Sequence, residues 1–420
     1  MNNFILDSLI KILLDFEKNT GPADLFLSAY FKKNYKLGHR DRSLIAEIYY
    51  GVIRHKSYLE NICGDNNLKN KILIFLLYVQ GKSINSLTHF LDDETLSWLK
   101  IKKSSNYVCE SWPIKLSVPN WLWIKLSISY EESFLIELAK SLLKPADLNL
   151  RVNGLKKTKI DDIVFDLKES FPMIQEKIEK TNLSPIGIVL PRGTQVNKHH
   201  LFLDGTIEVQ DEGSQILSLL LNVKRGQMVA DFCAGAGGKT LALADLMKNT
   251  GRLYAFDISD KRLENLKRRL KKSGASNIFP QRINNENDIK IKRLYGKFDR
   301  VFVDAPCTGF GTLRRNPDLK WRYGESDLHE IVKKQKKILD AASNLCKKGG
   351  YLLYATCSIL NDENEEIVES FLQKRSDFKA IPYFEILENI KVDTKKSNYL
   401  KLFPHQHGTD GFFGAIMERI

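Results

Sequence analysis

The sequence predicts an α/β protein whose mainly parallel, doubly wound sheet follows an all-helical N-terminal domain. Two observations support this prediction. In the second half of the chain, apolar runs of buried-strand length alternate with helical segments, a pattern typical of parallel sheets. From Met1 to about Asp93, apolar residues recur instead with the period of an α-helix. At 420 residues the chain is also too long for one ordinary domain.

Three domains are expected along the chain. The helical pattern, with its trailing linker helices, gives a first domain over residues 1–135. A short extended run, a glycine turn and an amphipathic helix within "KPADLNLRVNGLKKTKIDDIVFDLKE" predict a small α/β insertion over residues 136–205. Residues 206–420 then form the α/β domain with the large sheet.

The N-terminal helices are predicted from their apolar faces. "DRSLIAEIYYGVIRH" places six apolar side chains on one face, those of Leu44, Ile45, Ile48, Tyr49, Val52 and Ile53. "KNKILIFLLYVQG" continues as helix towards a glycine stop. Together these stretches indicate a helical bundle.

The strands of the large sheet are predicted from apolar runs. These are "QMVADF", "RLYAFDI", "FDRVFVDAP" and "YLLYATCS", with "GFFGAIMERI" as the last strand. Helices such as "KRLENLKRRLKK" and "LHEIVKKQKKILDAASNLCKK" lie between them. Open α/β sheets bind ligands at the carboxyl ends of their strands, so the residues that follow these runs are the candidate site residues.

Composition narrows the class of protein. A hydrophobic content of 43% and a mean hydropathy of −0.28 are typical of a soluble globular chain, and the N-terminus reads as an amphipathic helix instead of a signal peptide. Six cysteines without a CxxC pair favour a reducing compartment, so we expect a cytoplasmic protein that acts as a monomer. No metal site is expected, because His405 and His407 have no matching cysteine spacing. The net charge of +13 is compatible with a polyanionic partner but does not by itself decide function.

A glycine-rich turn follows the first strand of the large sheet. In "ADFCAGAGGKT", Gly235, Gly237 and Gly238 allow positive φ and close approach of the backbone to a ligand, and a helix begins at once. Asp257 ends the next strand, nineteen positions after Gly238, where a carboxylate can accept hydrogen bonds from ribose hydroxyls. The spacing is not that of a phosphate-binding P-loop. The turn and the acid indicate an adenosine-containing cofactor, either a dinucleotide or S-adenosylmethionine.

Two later strand ends each present a cysteine, in "DAPCTG" and "YATCS". Methylation of carbon 5 of a pyrimidine needs such a thiol, because that carbon becomes nucleophilic only after a thiolate has added to carbon 6. A cationic setting or a helix N-terminus is needed to activate the thiol. Asp304 can hold N3 of the ring protonated. The chemistry alone does not choose between Cys307 and Cys357. For Cys63, Cys109 and Cys346 we expect buried packing roles.

The ordered motifs resemble those of the Sun-type RNA cytosine-C5 methyltransferases. They are "DFCAGAGGKT", "AFDIS", "FDRVFVDAPCTGFGTLRRNPDLKW", "YLLYATCSILNDENEEIV" and "GTDGFFGAIMERI", preceded by "VQDEGSQ". The N-terminal "GHRDRSLIAEIYYGVIRH" resembles the NusB-like RNA-binding domain of the bacterial small-subunit rRNA members. The resemblance covers nearly the whole chain and is weakest between about Glu94 and Lys144.

The resemblance implies a Rossmann-like fold, S-adenosylmethionine as cofactor and small-subunit rRNA as partner. It implies that Cys357 is the nucleophile, that Cys307 assists release of the methylated product, and that Asp304 contacts both base and cofactor. It implies a cofactor site lined by Cys233, Ala234, Gly235, Ala236, Gly237, Gly238, Lys239, Asp257 and Asp304. Ala236 stands where the family commonly has proline.

Two further sets of residues are expected from the resemblance and from position. The adenine-side acid of the family falls on "RINNEND", at Asn285, with Asn284 and Asp288 as alternatives. Beside the crevice, RNA phosphates are expected to meet four basic residues, Arg314, Arg315, Lys320 and Arg322. Trp321 either stacks on RNA or packs inside the protein.

Three other functions remain open from the sequence. A DNA cytosine methyltransferase would use the cysteine after the proline, which is Cys307. Another RNA, such as tRNA, would fit the same motifs. A non-catalytic RNA-binding assembly factor would need only the helical domain.

Overall fold

The structure is a computed structural model that describes residues 1–105, 107–388, 390 and 397–420. The chain divides into two compact units. The helical unit comprises Met1–Lys144 together with Leu313–Glu325, and the α/β unit comprises Pro145–Thr312 together with Ser326–Ile420. No helix in the described part of the chain is long and apolar enough to span a membrane.

The helical unit contains the helices of Met1–Lys144 and one short helix from its second segment, Leu313–Glu325. The bounds are α1 Asn3–Glu17, α2 Ala23–Lys33, α3 His39–Arg54, α4 Lys56–Cys63, α5 Leu68–Ile74, α6 Asp93–Ser104, α7 Trp112–Lys115, α8 Asn120–Ser129, α9 Glu132–Leu142 and, from the second segment, α16 Leu319–Arg322. The predicted apolar face of α3 is confirmed, since every member is buried except the half-buried Leu44. The helix predicted after α4 changes at its end to a π-helical turn, Phe75–Val79.

A buried arginine joins the two segments of the helical unit. The guanidinium of Arg54 is 3% exposed and donates to the backbone carbonyls of Leu313, at 3.1 Å, and Arg314, at 3.0 Å. In return, Lys320 Nζ donates to the carbonyl of Arg54 at 2.9 Å, and Trp321 Nε1 donates to that of Ile53 at 2.8 Å. Because buried carbonyls need partners, these bonds explain why residues so late in the chain belong to the N-terminal helices.

The α/β unit alternates strands and helices as the sequence predicts. Its insertion contains β1 Leu148–Val152, α10 Ile160–Ser170, β2 Glu179–Lys180, β3 Gly187–Leu190, α11 His200–Leu203 and β4 Ile207–Val209. Its larger part contains α12 Glu212–Leu220, β5 Met228–Asp231, α13 Gly238–Leu246, β6 Arg252–Asp257, α14 Asp260–Ser273, β7 Ile278–Arg282, α15 Ile289–Lys292, β8 Phe298–Asp304, α17 Glu325–Ser343, β9 Cys346–Thr356, α18 Glu365–Lys374, β10 Phe378–Ile381, α19 Tyr383–Ile386, β11 Leu400–Leu402, α20 Pro404–His407 and β12 Phe412–Arg419.

Two sheets organise this unit. The insertion forms an antiparallel sheet in the order β2-β3-β1-β4. The large sheet has the order β10-β12-β9-β8-β5-β6-β7, and β11 pairs with β12. Strands β5 to β9 pair in parallel, whereas β12 runs antiparallel to β9. The predicted fold class, an all-helical region followed in sequence by a mainly parallel doubly wound sheet, is confirmed.

The structure places the domain limits differently from the sequence patterns. Residue 135 lies inside α9, and the helical unit continues to Lys144 before the chain enters the insertion. The fourth strand of the insertion, β4, lies just beyond the expected limit at residue 205. The second segment of the helical unit lies inside the stretch assigned to the α/β domain, because its ties to Arg54 depend on tertiary contacts that no local pattern reveals.

Acid should destabilise the helical unit through His55. Burial, reinforced by Lys320 and Arg54, lowers the pKa of His55 to about 3. Between this value and the unfolded value of about 6.5, only the unfolded chain binds the proton, so stability falls as the pH falls. We expect wild-type protein to lose about 2 kcal/mol more between pH 7 and pH 5 than His55→Gln does.

The measurement is urea unfolding followed by tryptophan fluorescence. All five tryptophans lie in the helical unit, so the signal reports on that unit. His39→Gln, which changes an exposed histidine of the same unit, should keep the wild-type pH response. An equal pH response in His55→Gln and wild type would contradict the assignment.

Candidate active site

The candidate site lies where neighbouring parallel strands end. The register of β8 and β9 places Asp304 opposite Ala355, so the loops that carry Cys307 and Cys357 leave the sheet side by side. Gly311 then packs against both the second loop and the start of β12. Its N–H donates to the carbonyl of Cys357 at 2.9 Å, and a Cβ at Gly311 would lie 2.0 Å from the oxygen of Gly411. Glycine is therefore required at this position.

The glycine-rich loop between β5 and α13 adopts the conformation that its sequence predicts. Gly235 and Gly237 have φ of 56° and 85°, a region that side chains disfavour. A Cβ at Gly237 would also lie 2.2 Å from Leu266 Cδ1. Gly238 is the first residue of α13 and does not need positive φ. The loop thus leads directly into the first backbone N–H groups of α13, which have no partners within the helix.

Asp257 fixes this loop from the end of β6. One carboxylate oxygen accepts the N–H of Gly235 at 2.8 Å, and the other accepts the N–H of Ser259 at 2.8 Å. The side chain is 4% exposed. A carboxylate offers about four acceptor positions, so further hydrogen bonds from ribose hydroxyls remain compatible with these two.

Asp231 is a candidate site residue that the sequence patterns did not single out. It ends β5 and is 1% exposed, and its Oδ2 accepts the hydroxyl of Thr240 at 2.7 Å. Its Oδ1 is buried and has no hydrogen-bond partner among the described residues. Burial raises the pKa of Asp231 to about 7. The signal was available, since a second acid ends the strand before the glycine-rich loop, and a buried orphaned oxygen calls for a donor from a ligand.

A salt bridge links the glycine-rich loop to the "DAPCTG" segment. Lys239 Nζ lies 2.8 Å from Asp304 Oδ2, and the two side chains are 15% and 31% exposed. Burial alone would lower the pKa of Lys239, but the Asp304 carboxylate and the sulfur of Cys357 reverse this and raise the pKa. The ammonium group of Lys239 is therefore retained, and its charge also interacts with Cys357, as thiol activation by a cation requires.

The two cysteine sulfurs lie in contact. Sγ of Cys307 is 3.3 Å from Sγ of Cys357. The hydrogen bond to Cys357, together with burial, raises the pKa of Cys307 well above its ordinary value. At this distance either thiol can donate a hydrogen bond to the other sulfur.

The adenine-side candidates occupy the turn after β7. Asn285 is exposed, and its side-chain oxygen accepts the N–H of Asn287 at 2.9 Å. The carboxylate of Asp288 caps α15, accepting the N–H groups of Lys290 and Asn284, and these bonds lower its pKa. Asp288 is thus engaged within its own turn, and the assignment to Asn285 stays a prediction.

The basic residues expected to meet RNA lie in the helical unit. Lys320 is 4% exposed, and burial together with Arg54 holds its pKa well below the ordinary value. Since its Nζ binds a backbone carbonyl, the expectation that Lys320 contacts a phosphate is wrong for this structure. Arg322 pairs with Asp318 at 3.4 Å. Arg314 and Arg315 are half-buried, and their role stays a prediction.

The remaining cysteines and histidines have mostly local roles. Cys63 and Cys346 are buried as expected, whereas Cys109 is half-buried. In the insertion, Asp166, His199 and His200 come together in a group that could hold a metal ion. However, His199 Nδ1 accepts the N–H of Leu201, so the proton resides on Nε2, the atom that faces the group. This tautomer does not suit metal binding.

Comparison with known proteins agrees with this fold. Residues 218–418 match the family model described as 16S rRNA methyltransferase RsmB/F. The chain is 27% identical to the probable ribosomal RNA small subunit methyltransferase B of Bacillus subtilis, over 99% of this chain and 98% of that protein. It is 30% identical to human 28S rRNA (cytosine(4447)-C(5))-methyltransferase, over 73% of this chain and 38% of that protein. The crystal structure of PH0851 superposes with a TM-score of 0.78 at 26% identity, covering 99% and 98% of the two chains.

The fold and the site define a Rossmann-like methyltransferase that uses S-adenosylmethionine. More narrowly, residues 218–418 resemble the RsmB/F methyltransferases, and the chain aligns over nearly its whole length with a relative named for the small ribosomal subunit. The residues fit this cofactor. The unpartnered oxygen of Asp231 and the carboxylate of Asp257 suit its ammonium and hydroxyl donors, and the N–H groups at the start of α13 suit its carboxylate.

Removing the Asp257 carboxylate should weaken cofactor binding. We expect Asp257→Ala to raise the Kd for S-adenosylmethionine about 10- to 100-fold, because charged hydrogen bonds contribute about 1.5–3 kcal/mol each. Isothermal titration calorimetry measures this change. Asp260→Ala removes an exposed carboxylate from the same turn and should leave the Kd unchanged. Equal affinities of Asp257→Ala and wild type would contradict the placement of the cofactor.

Proposed function

We propose that this protein methylates carbon 5 of a cytosine in small-subunit rRNA through a covalent cysteine adduct. We further propose that it acts as a monomer in the cytoplasm, where it would meet that RNA. The observation that supports this function most directly is the pair of thiols at adjacent strand ends, with sulfurs 3.3 Å apart, next to Asp304 and the glycine-rich loop.

We assign Cys357 as the nucleophile because family resemblance gives it that role. Its sulfur lies 3.3 Å from the sulfur of Cys307, so either thiol can donate a hydrogen bond to the other. The 5-fluorocytosine experiment below distinguishes the two assignments.

The first step is addition to the ring. The thiolate of Cys357 forms an Sγ–C6 bond, and the electrons of the C5–C6 double bond make carbon 5 nucleophilic. Protonation of N3 favours this addition, and the carboxylate of Asp304 accepts a hydrogen bond from the protonated N3. Lys239 holds Asp304 in place at 2.8 Å. S-adenosylmethionine, when bound, supplies an electrophilic methyl group.

The second step releases the product. A base removes the proton from the methylated carbon 5, the C–H electrons restore the C5–C6 double bond, and the Sγ–C6 bond breaks to return the thiolate. We assign Cys307 to this release because its sulfur lies 3.3 Å from the sulfur that must leave. Because both thiols must reach the ring, the cytosine has to be unstacked or already looped out of the RNA.

Small-subunit rRNA is favoured over other substrates by the extent of the match. The Bacillus subtilis relative, named for the small subunit, aligns over nearly the whole of both chains. The human 28S rRNA relative aligns over 38% of its length and supports cytosine C5 chemistry on rRNA. A tRNA substrate, or a non-catalytic assembly role, has no comparable support, and the intact thiol pair argues against the second.

Transfer of labelled methyl from S-adenosylmethionine tests the function. We expect incorporation into purified small-subunit rRNA, with 5-methylcytidine as the labelled nucleoside after digestion. Large-subunit rRNA and tRNA serve as matched controls and should stay unlabelled. Label in tRNA alone would show that the substrate is tRNA and not small-subunit rRNA. No label in any RNA would refute catalysis.

The two thiols should behave differently on RNA that contains 5-fluorocytosine at the target position. Fluorine blocks the proton removal that product release needs, so wild-type protein should accumulate a covalent complex visible on a denaturing gel. Cys357→Ala should form none. On ordinary RNA, Cys307→Ala should accumulate the complex, because release is slowed while addition continues. Trapping by Cys357→Ala but not by Cys307→Ala would reverse the assignment.

A further inference from the structure

A buried carboxylate outside the mechanism lies behind the two cysteine loops. Glu363 stands between β9 and α18 and is 0% exposed. A charged side chain is rarely buried to this degree unless it has several hydrogen-bond partners. The burial of this carboxylate therefore calls for an explanation from its hydrogen-bond partners.

Three residues donate four hydrogen bonds to the carboxylate of Glu363. Oε1 accepts the backbone N–H of Thr308 at 2.8 Å and the side-chain amide of Gln335 at 3.0 Å. Oε2 accepts the hydroxyl of Thr308 at 2.5 Å and the hydroxyl of Ser358. A single carboxylate thus satisfies donors from three separate parts of the chain.

Two of these partners are the residues immediately after the cysteines. Thr308 follows Cys307, and Ser358 follows Cys357. The carboxylate therefore bridges the two loops one residue away from each sulfur. Burial strengthens such hydrogen bonds and makes their loss costly, so the bridge should hold both loops in one geometry.

Neighbouring residues reinforce the same bridge. The side-chain amide of Asn364 donates to the carbonyl of Ser358 at 3.1 Å, and its oxygen accepts the hydroxyl of Thr356 at 2.5 Å. Gln335 donates to the carbonyl of Pro306 at 3.0 Å as well as to Glu363. Each loop is thus held on both sides of its cysteine.

We propose that Glu363 is a positioning residue that sets the spacing of the two thiols by binding both loops through one carboxylate. Its role in catalysis rests on the proposed function, whereas its role in thiol spacing does not. Glutamine at this position keeps the size but loses one acceptor, so an NH₂ group would face donors. The loops would then separate or become mobile.

The thiol spacing is tested without RNA. Diamide, a two-electron oxidant, takes up two hydrogens as Cys307 and Cys357 form a disulfide, and peptide mapping of timed samples gives the rate. We expect the rate of disulfide formation to be at least about 10-fold lower in Glu363→Gln than in wild type. Loosening the two loops lowers the effective concentration of one thiol at the other. Glu366→Gln, an exposed glutamate on α18, is the matched control and should keep the wild-type rate.

The catalytic consequence is tested on RNA. We expect Glu363→Gln to lower kcat and the rate of 5-fluorocytosine adduct formation about 10- to 100-fold, since misplacement by about 1 Å can cost 100-fold. The Kd for S-adenosylmethionine should stay at the wild-type value, whereas general damage to the fold would change both. Thr308→Val removes one hydroxyl of the bridge and should lower the same rates by a smaller factor. This variant replaces Glu363→Gln in both tests if Glu363→Gln does not fold.

The two hypotheses fail in different ways. If wild-type protein methylates no cytosine, the proposed function is wrong, but the diamide rates still decide whether Glu363 sets the spacing. If wild-type protein is active and Glu363→Gln matches it in both cross-linking and kcat, Glu363 has no positioning role while the function stands.

Discussion

The parallel pairing of β8 with β9 is the constraint on which the site depends. Hydrogen bonds between these strands place Asp304 opposite Ala355, and each strand is followed at once by a loop with a cysteine. Two thiols that are fifty residues apart in sequence are thereby brought to 3.3 Å. A shift of the register by one residue would turn every side chain of the shifted strand to the other face and separate the thiols. The proposed chemistry therefore depends on the register between β8 and β9.

Charge distribution around the crevice follows from the same strand ends. Asp231, Asp257 and Asp304 end three parallel strands, and Lys239 forms a salt bridge with Asp304. Two of the acids already have partners in the protein, whereas Asp231 keeps one buried oxygen without a partner in the described part of the chain. The site is thus prepared for a ligand that brings its own donors.

The segment after the "DAPCTG" loop shows how a basic motif can have a structural role. Its lysine, tryptophan and carbonyls are bound by the N-terminal helices, and Arg54 is the centre of that network. The segment follows the "DAPCTG" loop in sequence but belongs to the helical unit. The position of Lys320 beside the crevice suggested contact with RNA. Lys320 is instead buried, because a buried backbone carbonyl needs its ammonium group as a hydrogen-bond donor.

The sequence alone determined five strands of the large sheet (β5, β6, β8, β9 and β12), the glycine-rich loop and the two cysteine loops, because period, turn residues and motif order are local properties. It identified Asp257, Asp304, Cys307 and Cys357 as site candidates for the same reason. The burial of Lys320, the orphaned oxygen of Asp231 and the bridge made by Glu363 were decided by tertiary structure. Each depends on which distant donors and acceptors meet in the interior, and no spacing along the chain encodes that meeting.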